Sequence, residues 1–297
     1  MDKSKSVPTS RVSRLAAIGS FASKVAGNIV VEGTKSVFQG KKPSINTLLL
    51  TPRNFEHLAN QLMEMRGAAM KLGQLLSMDA GELLSPELSA VLNKLQSQAL
   101  PMPHKQLVTV MKANWGERWL DRLSYFDLRP FAAASIGQVH QAYTECGDKL
   151  AIKVQYPGIS RSIESDVDNV VSLLRISKLI PKELDLTPLI EEAKKQLIAE
   201  ADYQLEAEHL FHYRTLVCNF DEFVVPKFYD EHSTKHVLAM EYIEAENLLD
   251  ASGLTQEKRN KIAQQLIRLF FAELFLFNLV QTDPNLANFK YNTKTAV

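Results

Sequence analysis

The spacing of apolar residues along the chain alternates between two periods, and each switch marks a change of element. After Phe55, apolar side chains recur at Leu58, Leu62, Met65, Ala69, Leu72 and Leu76, at intervals of three and four that predict one long amphipathic helix. Thr51 and Pro52 suit its N-cap and first helical position. Ser85-Pro86-Glu87 opens a helix over 85–95, Pro101-Met102-Pro103 reads as a linker, and residues 104–114 are again amphipathic. The period then drops to two. Residues 139–144 and 150–155 flank Cys146-Gly147-Asp148 with β-branched and apolar side chains, the pattern of a hairpin. Residues 159–179 and 186–218 predict two helices divided by Pro181, 223–230 and 236–242 a second hairpin, and 243–246 a hinge segment leading to a long helix over 256–280.

That last helix differs from the others. Leu266, Ile267, Leu269, Phe270, Phe271, Leu274, Phe275, Leu276, Phe277, Leu279 and Val280 cover nearly its whole circumference, which is the pattern of a fully buried element. The 17 residues after Val280 are too few to cover it, so an apolar patch is expected to face water, as in a truncated product of a longer ancestor.

Composition narrows the classes. Lys plus Arg and Asp plus Glu both number 34, so no global field recruits nucleic acid. Charge is uneven, however, with eight Lys or Arg against Asp2 and Glu32 in residues 1–42. There a helical stripe of Leu15, Ile18, Ala22, Val25 and Ile29 fits either a helix on an anionic membrane surface or one docked on the protein itself. Lys24 interrupts that segment, so no secretory signal is expected, and no window approaches the ~18 unbroken apolar residues of a spanning helix. Cys146 and Cys218 show no CxxC spacing, which suggests a reducing compartment and no metal knuckle.

The candidate chemistry centres on the first hairpin. Lys153 lies inside its second strand, where an unpaired ammonium would be costly, so it requires a carboxylate or phosphate partner. Ala132, Ala133, Ala134 and Ser135 precede the first strand, where a protein kinase has its Gly-rich phosphate cover, and small residues let backbone N–H groups approach phosphate oxygens. Lys71 and Gln74 share a face of the first predicted helix, with Gly73 between them suggesting a close approach. Glu200, Asp202, Glu206 and Glu208 form an acidic run that is either a solvated face or the source of carboxylates for Lys153 and Lys71. Met240 and Tyr242 flank the crossing where a kinase holds its adenine ring. Asp283 and Asn288, five apart in a loop after the apolar helix, reproduce a kinase catalytic loop, although Asp-Pro and Asn also form ordinary turns.

Taken together, Arg66 to Gln74, Ala132 to Gln138, Ala151 to Val154, Glu200-Ala201-Asp202 and Asp283 to Asn288 resemble the AarF/UbiB family of atypical kinase-like proteins, whose members support ubiquinone biosynthesis. The resemblance runs over residues 10–295. It implies an α+β, protein-kinase-like two-lobed fold: a basic segment at 1–44, a helical Lys-x-Gly-Gln unit at 45–120, an N-lobe at 121–243 and a partial C-lobe at 244–297. By matching positions it implies that Lys153 holds ATP phosphates with Glu206 as its helix partner. It further implies that Glu200 and Asp202 face Lys71 and Gln74, that Asp283 is the catalytic Asp, and that Asn288 is a Mg²⁺ ligand. The implied partners are a nucleotide, a quinone-precursor lipid and proteins of ubiquinone biosynthesis, in the cytoplasm or peripherally on a quinone-bearing membrane. The chain departs from the pattern at Gln281, where the family usually has His, and in showing no Asp-Phe-Gly between Asn288 and Val297, so half the metal site is encoded. An ATPase or small-molecule kinase, an inactive nucleotide-binding scaffold and a membrane-surface lipid-binding module are the three functions that these features support.

Overall fold

In the computed structural model, which describes residues 19, 23, 27, 52–79, 101–177, 180, 185–281 and 286–292, the first hairpin is the centre of an antiparallel sheet. Its strands are β1 (Tyr125–Phe126), β2 (Ala132–Ala133), β3 (Gly137–Tyr143), β4 (Lys149–Gln155) and β5 (Val237–Glu241), in the order β1-β3-β4-β5, with β2 also paired to β3. Alternation gives the sheet two unlike faces. Ala142, Leu150, Ile152, Val154, Val237 and Ala239 are fully buried on one. On the other, Val139, Lys153 and Leu238 stand directly opposite one another, beside Ala151 and Met240.

Helices cover this sheet. The apolar stripe from Leu58 to Leu76 lies on two helices, α1 (Pro52–Glu64) and α2 (Arg66–Asp79), where the spacing predicted one. The chain tightens at Met65, whose N–H bonds to Leu62 O, and resumes with Ala69 N–H on Met65 O. The stripe stays in phase across the break, so Leu58, Leu62, Met65, Ala69, Leu72 and Leu76 are all buried. Next come α3 (His104–Trp115), α4 (Ile163–Ile176), α5 (Thr187–Glu200), α6 (Tyr203–Leu216) and α7 (Gln256–Ala272). The single helix predicted over 186–218 is therefore divided. Asp202 leaves helical geometry (φ −99°, ψ 91°) and accepts the N–H groups of Gln204 and Leu205, making it the N-cap of α6.

The second predicted hairpin forms in part. β5 is present, but residues 223–230 contribute an isolated bridge between Phe228 and Met240, with Tyr229 N–H on Ala239 O. Pro226 brings no N–H to a ladder, and Arg214 draws Val225 O toward α6 at 2.6 Å. The hinge segment runs into β6 (Glu246–Asn247), which pairs with β7 (Lys290–Tyr291) just beyond Asn288. The helix over 256–280 ends earlier than predicted, in a π-helical turn at Glu273–Phe277 closed by Asn278 at φ 51°. Leu269 and Ala272 are buried there, while Phe275 and Leu276 are 72% and 69% exposed. Among the described residues no helix is long and apolar enough to cross a membrane. The stripe from Leu15 to Ile29 and the helix predicted over 85–95 lie outside the described residues.

A buried polar chain fastens the helical unit to the sheet. Met102 N–H donates to Gln138 Oε1, the Gln138 amide donates to His140 Nε2, and His140 Nδ1–H donates to Asp127 O, each at 2.8 Å. His140 is fully buried and stacked on Phe126, and burial lowers its pKa from the usual 6.5 to about 4. The unfolded chain therefore binds this proton at a pH where the folded chain does not, and stability falls as pH drops from the unfolded value toward the folded one. The expected loss between about pH 7 and about pH 5 is ~2 kcal/mol from this residue. Urea unfolding at the two pH values, in the native chain and in His140→Gln, measures it; a pH slope that His140→Gln leaves unaltered would contradict the assignment.

Candidate functional site

Lys153 enters the site through β-sheet alternation. Its neighbours Ile152 and Val154 are locked into the core, so its own side chain is held to the opposite face, where it is 17% exposed. Glu206, in the first turn of α6, meets it with both oxygens, at 2.7 and 2.8 Å. Tyr203, at the start of the same helix, lies beneath the ammonium, 5.0 Å from Nζ to ring centre. Burial pushes the Tyr203 phenol well above its usual range, so it stays neutral. Gly137 is required beside it, since a Cβ there would stand 2.5 Å from Val154 O and 2.9 Å from the Tyr203 hydroxyl.

The division at Asp202 decides which carboxylate meets which lysine. Glu200 closes α5 and Glu206 opens α6, so the two point to different partners. Lys71 on α2, 4% exposed, pairs with Glu200 Oε1 at 3.1 Å, and the Ser135 hydroxyl donates to Glu200 Oε2 at 2.5 Å. A single carboxylate thus joins the Lys71 helix to the small-residue loop. Backbone contact reinforces the junction, because a Cβ on Gly67 would approach Ser135 O to 2.9 Å. The sequence suggested a close approach at Gly73, which is buried on the same helix; the structure adds one at Gly67, six residues earlier. Gln74 is half-buried on α2, Asp202 is exposed and caps α6, and Glu208 is exposed.

The loop itself folds back on β3. Ala132 and Ala133 pair with Val139 and Gln138, and the Ala134 N–H donates to Gly137 O. Ala132 and Ala133 are exposed, and Ala134 and Ser135 are half-buried. At the far side of the same face Met240 stands opposite Ala151, and the Tyr242 N–H donates to Lys149 O. The Tyr242 ring meets Phe131 edge-on at 5.2 Å and carries the Lys149 ammonium 4.0 Å above it. Lys149 also pairs with Glu244 at 2.7 Å. Asn288 is exposed at the end of a single 3₁₀ turn (Leu286–Asn288), and Phe289 O accepts the Leu248 N–H. Asp283 lies outside the described residues.

Sequence reasoning missed Val139, Ala151 and Leu238, which share the face of Lys153. The signal was present, because a period of two counted from Lys153 selects Ala151, and hairpin register adds Val139. It also missed the Ser135–Glu200 and Gly67–Ser135 contacts, which join segments far apart in the chain and leave no local pattern.

Residues 94–297 match the ABC1 atypical kinase-like domain. The chain is 40% identical to the atypical kinase COQ8, mitochondrial, of Saccharomyces cerevisiae, over 99% of its own length and 58% of that protein. It is 38% identical to the atypical kinase COQ8B, mitochondrial, of Rattus norvegicus, over 99% of its length and 56% of the relative. The chain thus spans about half the length of the curated relatives it matches. Among solved structures, that of Rv3197 from Mycobacterium tuberculosis in complex with erythromycin aligns with a TM-score of 0.54 and 30% identity, covering 81% of this chain and 62% of that one. The fold is accordingly α+β and kinase-like, and the chain belongs to the ABC1 atypical kinase-like family, the AarF/UbiB family that its motifs resemble.

Proposed function

We propose that this chain is an atypical kinase-like, ATP-binding protein, an ATPase or small-molecule or lipid kinase that supports ubiquinone biosynthesis. The observation that carries the reading is the Lys153–Glu206 ion pair on the sheet face beside the small-residue loop. An ammonium carries three N–H donors, so Lys153 can hold Glu206 and a phosphate oxygen together. A nearly buried cation, an exposed pair of alanines at Ala132 and Ala133, and half-buried Met240 and Tyr242 suit a triphosphate at one end and an adenine at the other. Asn288 would ligate Mg²⁺, which when bound neutralises phosphate charge, and Asp283 would orient the acceptor. Gly67 presses α2 against the loop, and the Lys71–Glu200–Ser135 contacts hold it there. That packing favours a small acceptor, such as a quinone-precursor lipid, over a polypeptide. The mitochondrial names of the relatives favour a quinone-bearing membrane as the place of action, with the chain bound peripherally.

Thermal unfolding with ATP and Mg²⁺ tests the binding claim. Nucleotide at a hundredfold its Kd is expected to add about 2.7 kcal/mol and to raise the melting temperature by several degrees. No shift up to millimolar nucleotide, together with no heat of binding, would overturn the proposal.

A further inference from the structure

The apolar helix ends on a carboxylate that the site above does not use. Glu273 opens the π-helical turn and is 4% exposed. Turns of this kind are rare and cluster at functional places, and a buried carboxylate is costly unless its oxygens are bonded. Both oxygens of Glu273 are bonded. Oε1 accepts the Tyr213 hydroxyl at 2.5 Å, and Oε2 takes the Gln281 N–H in a longer contact of 3.4 Å. The backbone carbonyl of Glu273 accepts the N–H groups of Asn278 and, at 3.1 Å, of Leu279. Three backbone donors that follow the helix therefore converge on this one residue, just where Asn278 in left-handed geometry turns the chain.

Tyr213 connects this knot to the candidate site. It lies seven residues beyond Glu206 on α6, so the two side chains share a face, roughly 10 Å apart along the axis. Burial, and next the bond to Glu273, push the Tyr213 phenol upward, keeping it a donor. One rigid helix thus holds Lys153 at its N-terminal end and, through Tyr213 and Glu273, the first residue of the segment that leads to Asp283 and Asn288.

We infer that Glu273 is a positioning residue, which ties the chain at Gln281 to α6 so that any movement making or breaking the Lys153–Glu206 pair also moves Gln281. Its functional consequence rests on the nucleotide reading; the mechanical link does not. Tyr213→Phe removes the hydroxyl and Glu206→Gln removes the charge facing Lys153, both without change of shape. In the ligand-free full chain, each is expected to speed hydrogen exchange at the Gln281 amide about tenfold, with the double variant no faster than the quicker single one. Glu273→Gln, whose amide can donate to the Tyr213 oxygen while its carbonyl accepts from Gln281, should retain most of the protection that Glu273→Leu loses. Unchanged exchange at Gln281 in either Tyr213→Phe or Glu206→Gln would overturn the inference, as would an equal rise at the core amide of Ile152, the mark of global loosening. Titration of the same native sample with Mg²⁺ and ATP keeps the two claims apart: no binding there sinks the nucleotide reading, while the exchange comparison still decides this one.

Discussion

Lys153→Ala is expected to cut to about a third or less the rise in melting temperature that ATP and Mg²⁺, at a hundredfold the native Kd, produce in the native chain. A hydrogen bond to a charged group contributes about 1.5–3 kcal/mol, and a phosphate facing an unpaired Glu206 would meet repulsion as well, so affinity should fall at least thirtyfold. The fold itself should survive, because the Glu206 side chain left behind is 33% exposed and water can solvate it. This separation makes the variant informative. The measurement is thermal unfolding of both proteins across a nucleotide titration, with the ligand-free melting temperatures as the control for folding. An unchanged nucleotide shift in Lys153→Ala would mean that the phosphates bind elsewhere.

The second large effect falls on stability and concerns the other ion pair. Glu200→Gln takes a charge away from an ammonium whose side chain is 5% exposed, and weakens the anchor of Ser135 in the same step. Losing one partner of a buried pair costs about 3–5 kcal/mol; the 30% exposure of Glu200 places this case near 3 kcal/mol. Glu206→Gln, beside the better solvated Lys153, should cost clearly less. Urea unfolding of the two variants side by side measures the difference. Equal losses, or a loss below ~0.5 kcal/mol for Glu200→Gln, would show that the Lys71 junction is not a stabilising contact.

Legibility in the sequence followed the range of the interactions involved. The first hairpin was readable because alternation and a Gly-containing turn agree within a few residues of each other. From it followed the demand of Lys153 for a carboxylate or phosphate partner, and Glu206 supplies a carboxylate in the structure. Helix division was harder to read. Asp202 interrupts an otherwise helical stretch with a side chain that accepts two N–H groups of the next turn, and an Asp ahead of a first turn containing Glu206 was a usable cue. The tightening at Met65 left no cue, since the apolar spacing passes through it unbroken. Residues 223–230 carry strand-like alternation, yet Pro226 and the Arg214 contact leave them with one bridge. Glycine showed the same limit from another side. The need for a glycine at Gly67 is set by Ser135, far along the chain, and leaves no mark in the helical pattern. The apolar helix before the loop was legible locally as an unbroken run, and Phe270, Phe271, Phe275 and Leu276 on it are half or more exposed. Its buried carboxylate at Glu273 was hidden in that same apolar run.

The central claim is that Lys153, the small-residue loop and the Asn288 segment converge on one triphosphate. A crystal structure of the chain with Mg²⁺ and a non-hydrolysable ATP analogue tests it most directly. The predicted result is density with phosphate oxygens on the Lys153 ammonium, the base between Met240 and Tyr242, and Mg²⁺ on the Asn288 amide. A nucleotide bound away from Lys153, or a cleft closed over it by the loop with no analogue bound, would contradict the account.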